Sequence, residues 1–104
     1  MARKKMQDSF KEFKFDGKEF QYTGRVYPDF KQEGKKCDIT PFSLTLNGCI
    51  TIKGCKLFQT DKNTFIKFPE YKSGEEYKSY VYYPEELNEE INELAKVIEA
   101  ALDA

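Results

Sequence analysis

The hydrophobic period of this chain changes once, at Pro84, and that single change limits the folds open to it. From Phe10 to Tyr83 apolar and polar residues alternate over short runs, the period of two that a half-buried strand requires. Beyond Pro84 the apolar residues Leu87, Ile91, Leu94, Ile98, Ala101 and Leu102 recur at steps of four, three, four, three and one, which is one stripe of a 3.6-residue helix. Pro84 at the first helical position with Glu85 and Glu86 behind it is a helix start. Strands kept apart from one terminal helix predict an α+β fold: an antiparallel β-sheet of about five to six strands built from hairpins, with the C-terminal α-helix packed on it. One helix covers one face only, so the second face is solvated or buried in a dimer. The count of Tyr and Phe favours the covered state.

Turn residues divide the strand region. Asp16-Gly17 sits between Phe13-Lys14-Phe15 and Phe20-Gln21-Tyr22 and predicts a two-residue hairpin, whose central residues both need positive φ. In the second arm Phe20, Tyr22, Gly24 and Val26 share one face, and Gln21, Thr23 and Arg25 the other. Pro28 ends that strand, and Lys31 to Lys36 reads as a polar loop. Asn47-Gly48 follows Phe42-Ser43-Leu44-Thr45-Leu46 and predicts a second hairpin of the same kind. In the next strand Ile50 and Ile52 fall on even positions but Cys55 and Leu57 on odd ones, so Gly54 marks a bulge or bend. Thr64 to Phe68 is a short strand stopped by Pro69, Ser73-Gly74 a turn, and Tyr77 to Tyr83 a further strand.

With 104 residues the chain is one domain. Residues 10–104 are read as that domain and residues 1–9, with Arg3, Lys4 and Lys5, as a basic solvated tail. No run approaches the ~18 apolar residues of a membrane span, and the N-terminus lacks the apolar core of a signal peptide. Cys37, Cys49 and Cys55 make an odd count without a zinc spacing, which predicts reduced, structural thiols in a cytoplasmic protein. His is absent, which removes the usual general base and the commonest metal ligand. No Gly-rich phosphate loop is present. Glu75-Glu76 and Glu89-Glu90 are adjacent carboxylates that read as solvated surface. No catalytic residue, metal, cofactor or small-molecule substrate is indicated.

The net charge of −1 conceals an asymmetry. Residues 84–104 hold seven acids and one base, whereas residues 1–83 hold 16 bases and 11 acids. Lys53, Lys56, Lys62, Lys67, Lys72 and Lys78 are interleaved with Phe58, Phe65, Phe68, Tyr71, Tyr77 and Tyr80. Lysines to meet phosphate and aromatic rings to stack on bases are the ingredients of a nucleic-acid-binding sheet. Lysines that guard sheet edges against aggregation have the same composition. The acidic helix faces away from phosphate in any such complex.

From Phe42 onward the order is Ser43-Leu44-Thr45-Leu46, the Asn47-Gly48 turn, a strand with Ile50, Ile52, Lys56 and Leu57, and a polar turn at Asp61 to Asn63. Phe65-Ile66-Lys67-Phe68-Pro69, Lys72, Gly74-Glu75-Glu76-Tyr77-Lys78, a strand ending in Pro84 and the helix complete it. This order resembles the SpoVG septation and sporulation regulators of bacteria, over about residues 42–104. The resemblance implies a small α+β homodimer that binds DNA, and in some members RNA, in transcription regulation. By position it carries the family's basic residues onto Lys67, Lys72 and Lys78. The turn here has one Lys where the family is often more basic, and the helix is acidic, so binding is expected on strand and turn residues: Lys53, Lys56, Lys67, Lys72, Lys78, Tyr71 and Tyr77. Two other readings follow from the same residues. One is a protein-interaction module that uses the acidic helix or an open sheet edge; the other is a p15-type single-stranded-DNA-binding domain.

Overall fold

A computed structural model describes residues 9–104, and the strands run β1 (Lys11–Asp16), β2 (Gln21–Val26), β3 (Gln32–Glu33), β4 (Cys37–Leu46), β5 (Ile50–Thr60), β6 (Thr64–Lys67), β7 (Glu70–Ser73) and β8 (Glu76–Ser79), followed by helix α1 (Asn88–Asp103). The basic N-terminal segment with Arg3, Lys4 and Lys5 lies outside the described residues. Six strands form one antiparallel sheet in the order β1-β2-β4-β5-β6, with β3 also paired to β4. β7 and β8 form a separate two-stranded ribbon. The α+β architecture with one helix on the sheet is therefore as the periodicity indicates.

The core lies between one sheet face and α1. Tyr22, Val26, Phe42, Leu44, Cys55 and Leu57 are buried from the sheet, and Leu87, Ile91, Leu94, Ala95 and Ile98 from the helix region. The helical stripe is thus the surface the sheet buries. Lys11 donates from Nζ to the carbonyl oxygens of Leu102 (2.9 Å) and Ala104 (2.7 Å), placing a cation at the negative end of the helix dipole.

Two glycine turns behave differently. At Asn47-Gly48 both residues take positive φ (52° and 68°) as expected, and the Cys49 N–H donates to Leu46 O at 2.9 Å. Leu46 pairs with Ile50, however, so the hairpin is joined by three residues, Asn47 to Cys49, rather than the two expected. Asp16-Gly17 does not make the expected two-residue turn. The strands end four residues apart, and Gly17 is not in the left-handed region. The reason is a carboxylate from the helix: Glu90 accepts the N–H groups of Glu19 (3.0 Å) and Phe20 (3.3 Å) and so shapes the loop. A Cβ on Gly17 would stand 2.3 Å from Glu90 Cδ. Glycine is needed there for space, not for φ.

Gly54 marks the bulge expected at the phase shift. The β4–β5 register slips between Phe42 and Leu44, and Gly54 carries φ 87°. The extra residue returns Cys55 and Leu57 to the core face.

Several local expectations are corrected. The Lys31–Lys36 loop contains β3, because β4 is ten residues long and leaves its first half unpaired by β2. The strand expected over Tyr77 to Tyr83 ends at Ser79, whose hydroxyl bonds to Val81 O and turns the chain. Pro84 precedes a 3-10 turn, Glu85–Leu87, and the α-helix begins only at Asn88. Glu90, expected in solvent, is buried.

The three thiols are free but not alike. Cys55 is buried, Cys37 half-buried and Cys49 exposed at the hairpin turn, so the structural role expected for all three fails at Cys49. Burial pushes the Cys55 thiol up to about 12, far from the thiolate form that reacts. Thiol titration of the native protein should label Cys49 at once and leave Cys55 untouched until urea is added. Equal labelling of both without urea would contradict this placement.

Candidate nucleic-acid interface

The sheet face opposite α1 is uncovered, and strand register assembles it in rows. Lys14, Thr23, Thr45 and Thr51 are paired in series across β1, β2, β4 and β5. The next row holds Glu12, Arg25 and Ser43, with Lys53 and Gly54 opposite at the bulge. Pro41, Lys56 and Lys67 form a third row, and Ile39, Phe58 and Phe65 a fourth. Period two explains the assembly: each of these residues neighbours a core residue and so points the other way.

The first two rows line an open cleft of about 920 Å³. Its polar lining is the hydroxyls of Thr23, Ser43, Thr45 and Thr51 with Lys14, Arg25, Lys53 and the acid Glu12, and Phe13, Tyr27, Pro41 and Phe42 add an apolar share. The Thr45 and Thr51 hydroxyls lie 2.9 Å apart. The Arg25 guanidinium stands 4.3 Å over the Phe10 ring. In the fourth row Phe58 and Phe65 stack at 5.2 Å with 13° between planes, and Lys67 Nζ lies 5.1 Å over Phe58. Such contacts orient the cation and leave its charge available to a ligand.

The β7–β8 ribbon is the second basic-aromatic element. Cross-strand pairing puts Tyr71 beside Lys78 and Lys72 beside Tyr77, so each face of the ribbon carries one Lys and one Tyr. All four are exposed. Tyr71 also packs on Tyr80 at 4.7 Å. The base of the ribbon is closed by Tyr80 N–H to Pro69 O (2.9 Å) and by an edge-on contact of Phe68 with Tyr83. A Cβ on Gly54 would lie 3.6 Å from Pro69 Cγ, so the ribbon's base adjoins the cleft.

The residues singled out from sequence therefore divide. Lys53, Lys56 and Lys67 lie on the uncovered face, whereas Lys72, Lys78, Tyr71 and Tyr77 lie on the ribbon. Phe68 is buried in the core and is unavailable for stacking. Lys14 and Arg25 were missed because they precede the lysine-aromatic run. The signal was present in the polar alternation of Thr23 with Arg25.

On the far side of the sheet α1 presents Glu89 and Glu93, both exposed. Two other helix carboxylates are engaged. Glu99 accepts Gln59 Nε2 (3.0 Å) and the Thr64 hydroxyl, and these bonds hold its carboxyl below the usual range against the opposing effect of burial. Glu90 is pushed up by burial, but the Tyr22 hydroxyl (2.6 Å) and the backbone N–H groups of Lys18, Glu19 and Phe20 together push it further down. The same pair raises Tyr22, chiefly through burial and then through its bond to Glu90.

Among the described residues no group of three or more Cys, Asp and Glu could hold a metal ion, and no helix is long and apolar enough to cross a membrane. No protein-family model, curated protein or solved structure matches this chain.

Proposed function

We propose that the chain is a small, non-enzymatic nucleic-acid-binding protein that acts on DNA or RNA in a regulatory role, as its resemblance to the SpoVG regulators implies, and that the homodimer the resemblance also implies forms away from the uncovered sheet face rather than by burying it. The observation that carries this reading is the separation of charge by face. Lys14, Arg25, Lys53, Lys56 and Lys67 share the uncovered sheet face with Phe58 and Phe65, while the free carboxylates Glu89 and Glu93 lie on the helix behind it. Cations aligned on one surface release counterions when they meet phosphates, and stacked rings give bases a sequence-tolerant platform.

Binding should weaken steeply with salt, with a log–log slope of about −0.9 per phosphate contacted on duplex DNA. Lys67→Glu combined with Lys78→Glu, one change on the face and one on the ribbon, should abolish binding while circular dichroism stays unchanged. Absence of binding to both single- and double-stranded probes at low salt would overturn the reading.

A second reading rests on the ribbon and the segment that follows it. Tyr77, Tyr80 and Tyr82 are 68%, 66% and 79% exposed, a surface that suits a protein partner. A ribbon-docked protein would bind with little dependence on salt.

A further inference from the structure

We infer that the uncovered sheet face is a track for an extended single strand of nucleic acid, with Lys14 and Arg25 as phosphate-holding residues at one end and the Phe58–Phe65 stack as a base platform at the other. The inference rests on the nucleic-acid reading above and assigns the two kinds of surface to different forms of the ligand.

Charge favours a polyanion on this face. The face carries five cations, Lys14, Arg25, Lys53, Lys56 and Lys67, against two acids, Glu12 and, at the end of β1, Asp16. None of the five is in an ion pair among the described residues, and all five are exposed. A docked protein would instead call for an apolar centre depleted in charge. The cleft offers Thr and Ser hydroxyls on its floor, groups that donate to phosphate oxygens without sequence preference.

Width decides between single strand and duplex. From β1 to β5 the cleft spans the backbones of β1, β2, β4 and β5, neighbours about 4.8 Å apart, so it measures roughly 14 Å across. The duplex major groove is about 12 Å wide and admits a helix or a two-stranded ribbon. The sheet face therefore meets a duplex only through its outer phosphates. A single strand can lie along the rows, which repeat every ~6.6 Å along each strand, and turn its bases onto Phe58 and Phe65. The β7–β8 ribbon has the width that a duplex groove accepts. Face and ribbon should accordingly separate by mutation.

The test compares two charge-reversed proteins by fluorescence anisotropy: Lys14→Glu with Arg25→Glu on the face, and Lys72→Glu with Lys78→Glu on the ribbon. The probes are a labelled oligothymidine and a labelled duplex of mixed sequence, each at low and moderate salt. The face variant should lose at least about tenfold in affinity for oligothymidine, and its salt slope should flatten by about 1.4, for two phosphates at ~0.7 each. The ribbon variant should keep most of its oligothymidine affinity. Lys14→Gln with Arg25→Gln provides the milder version should charge reversal unfold the sheet, and should show the same loss in smaller measure. Unchanged oligothymidine affinity in both face variants, with loss in the ribbon variant, overturns this inference and leaves the nucleic-acid reading standing. Failure of the wild-type chain to bind either probe overturns both.

Discussion

Glu90→Ala should unfold at a lower urea concentration than the wild-type protein, with a loss of about 2 kcal/mol. It strands one buried donor, the Tyr22 hydroxyl, and removes the acceptor of two part-buried backbone N–H groups that water can partly replace. The three donors meet on this carboxylate: the Tyr22 hydroxyl at 2.6 Å, Glu19 N–H at 3.0 Å and Phe20 N–H at 3.3 Å. Glu90 is 8% exposed and Tyr22 1%, so water cannot freely replace the lost acceptor at the phenol. The same contacts join the first turn of α1 to the β1–β2 loop. Glu90→Gln keeps the shape but offers one acceptor oxygen for two, and should fall between. Tyr22→Phe removes one bond and should cost about 1.5 kcal/mol or more, the value of a hydrogen bond to a charged group.

The pH dependence follows from the direction of the Glu90 shift. Its folded carboxyl titrates below the ordinary 4.5, so the unfolded chain takes up the proton first. The stability it contributes is complete above that ordinary value and is lost as pH falls through the lower folded value. Glu99 acts in the same direction. Urea midpoints measured from neutral pH downward should drop below about pH 4.5 in the wild type. The drop should be shallower in Glu90→Gln. An equal drop in both proteins would contradict the assignment of the buried carboxylate as ionised.

The second large effect is expected at Gly24. This residue lies in the middle of β2 on the core face, paired with Phe13 on one side and Leu44 on the other. A Cβ there would stand 2.1 Å from the Ser43 carbonyl oxygen and 2.5 Å from Phe13 Cζ. The ring of Phe13 covers the glycine and meets Phe42 edge-on at 6.0 Å. Gly24→Ala forces the backbone of two central strands apart, and overpacking of this kind costs about 3 kcal/mol or prevents folding. Trimming Phe13 to Leu should not rescue the variant, because the Ser43 carbonyl remains. A Gly24→Ala protein with a wild-type urea midpoint would contradict the β2–β4 register, and with it the alignment of Thr23 and Arg25 on the opposite face.

The sheet, its uncovered face and the helix were legible because period-two and period-3.6 patterns leave opposite marks in the chain. The left-handed conformation of Asn47-Gly48 was legible for a local reason, since positive φ is a property of single residues, and the bulge at Gly54 because the apolar phase slips there. Asp16-Gly17 was not, because its conformation is set by Glu90, more than seventy residues away in the sequence. Glu90 itself reads as one surface acid among several, and nothing local distinguishes it from Glu89. The lysine-aromatic run showed which residues are basic and aromatic but not that Pro69 and Ser79 would lift β7 and β8 off the sheet. That split puts Lys72 and Lys78 on a different surface from Lys53, Lys56 and Lys67. Lys14 and Arg25 join the latter through strand pairing that spans four strands, a relation visible only once the register is known.

In the proposed complex nucleic acid meets the chain on the sheet face turned away from the acidic helix. Amide chemical-shift mapping of the labelled protein during titration with oligothymidine tests it most directly. The largest shifts should fall on Thr23, Arg25, Ser43, Thr45, Thr51 and Lys53, with the amides of residues 88–103 little changed. Shifts concentrated on the helix, or none at saturating oligonucleotide, would contradict it.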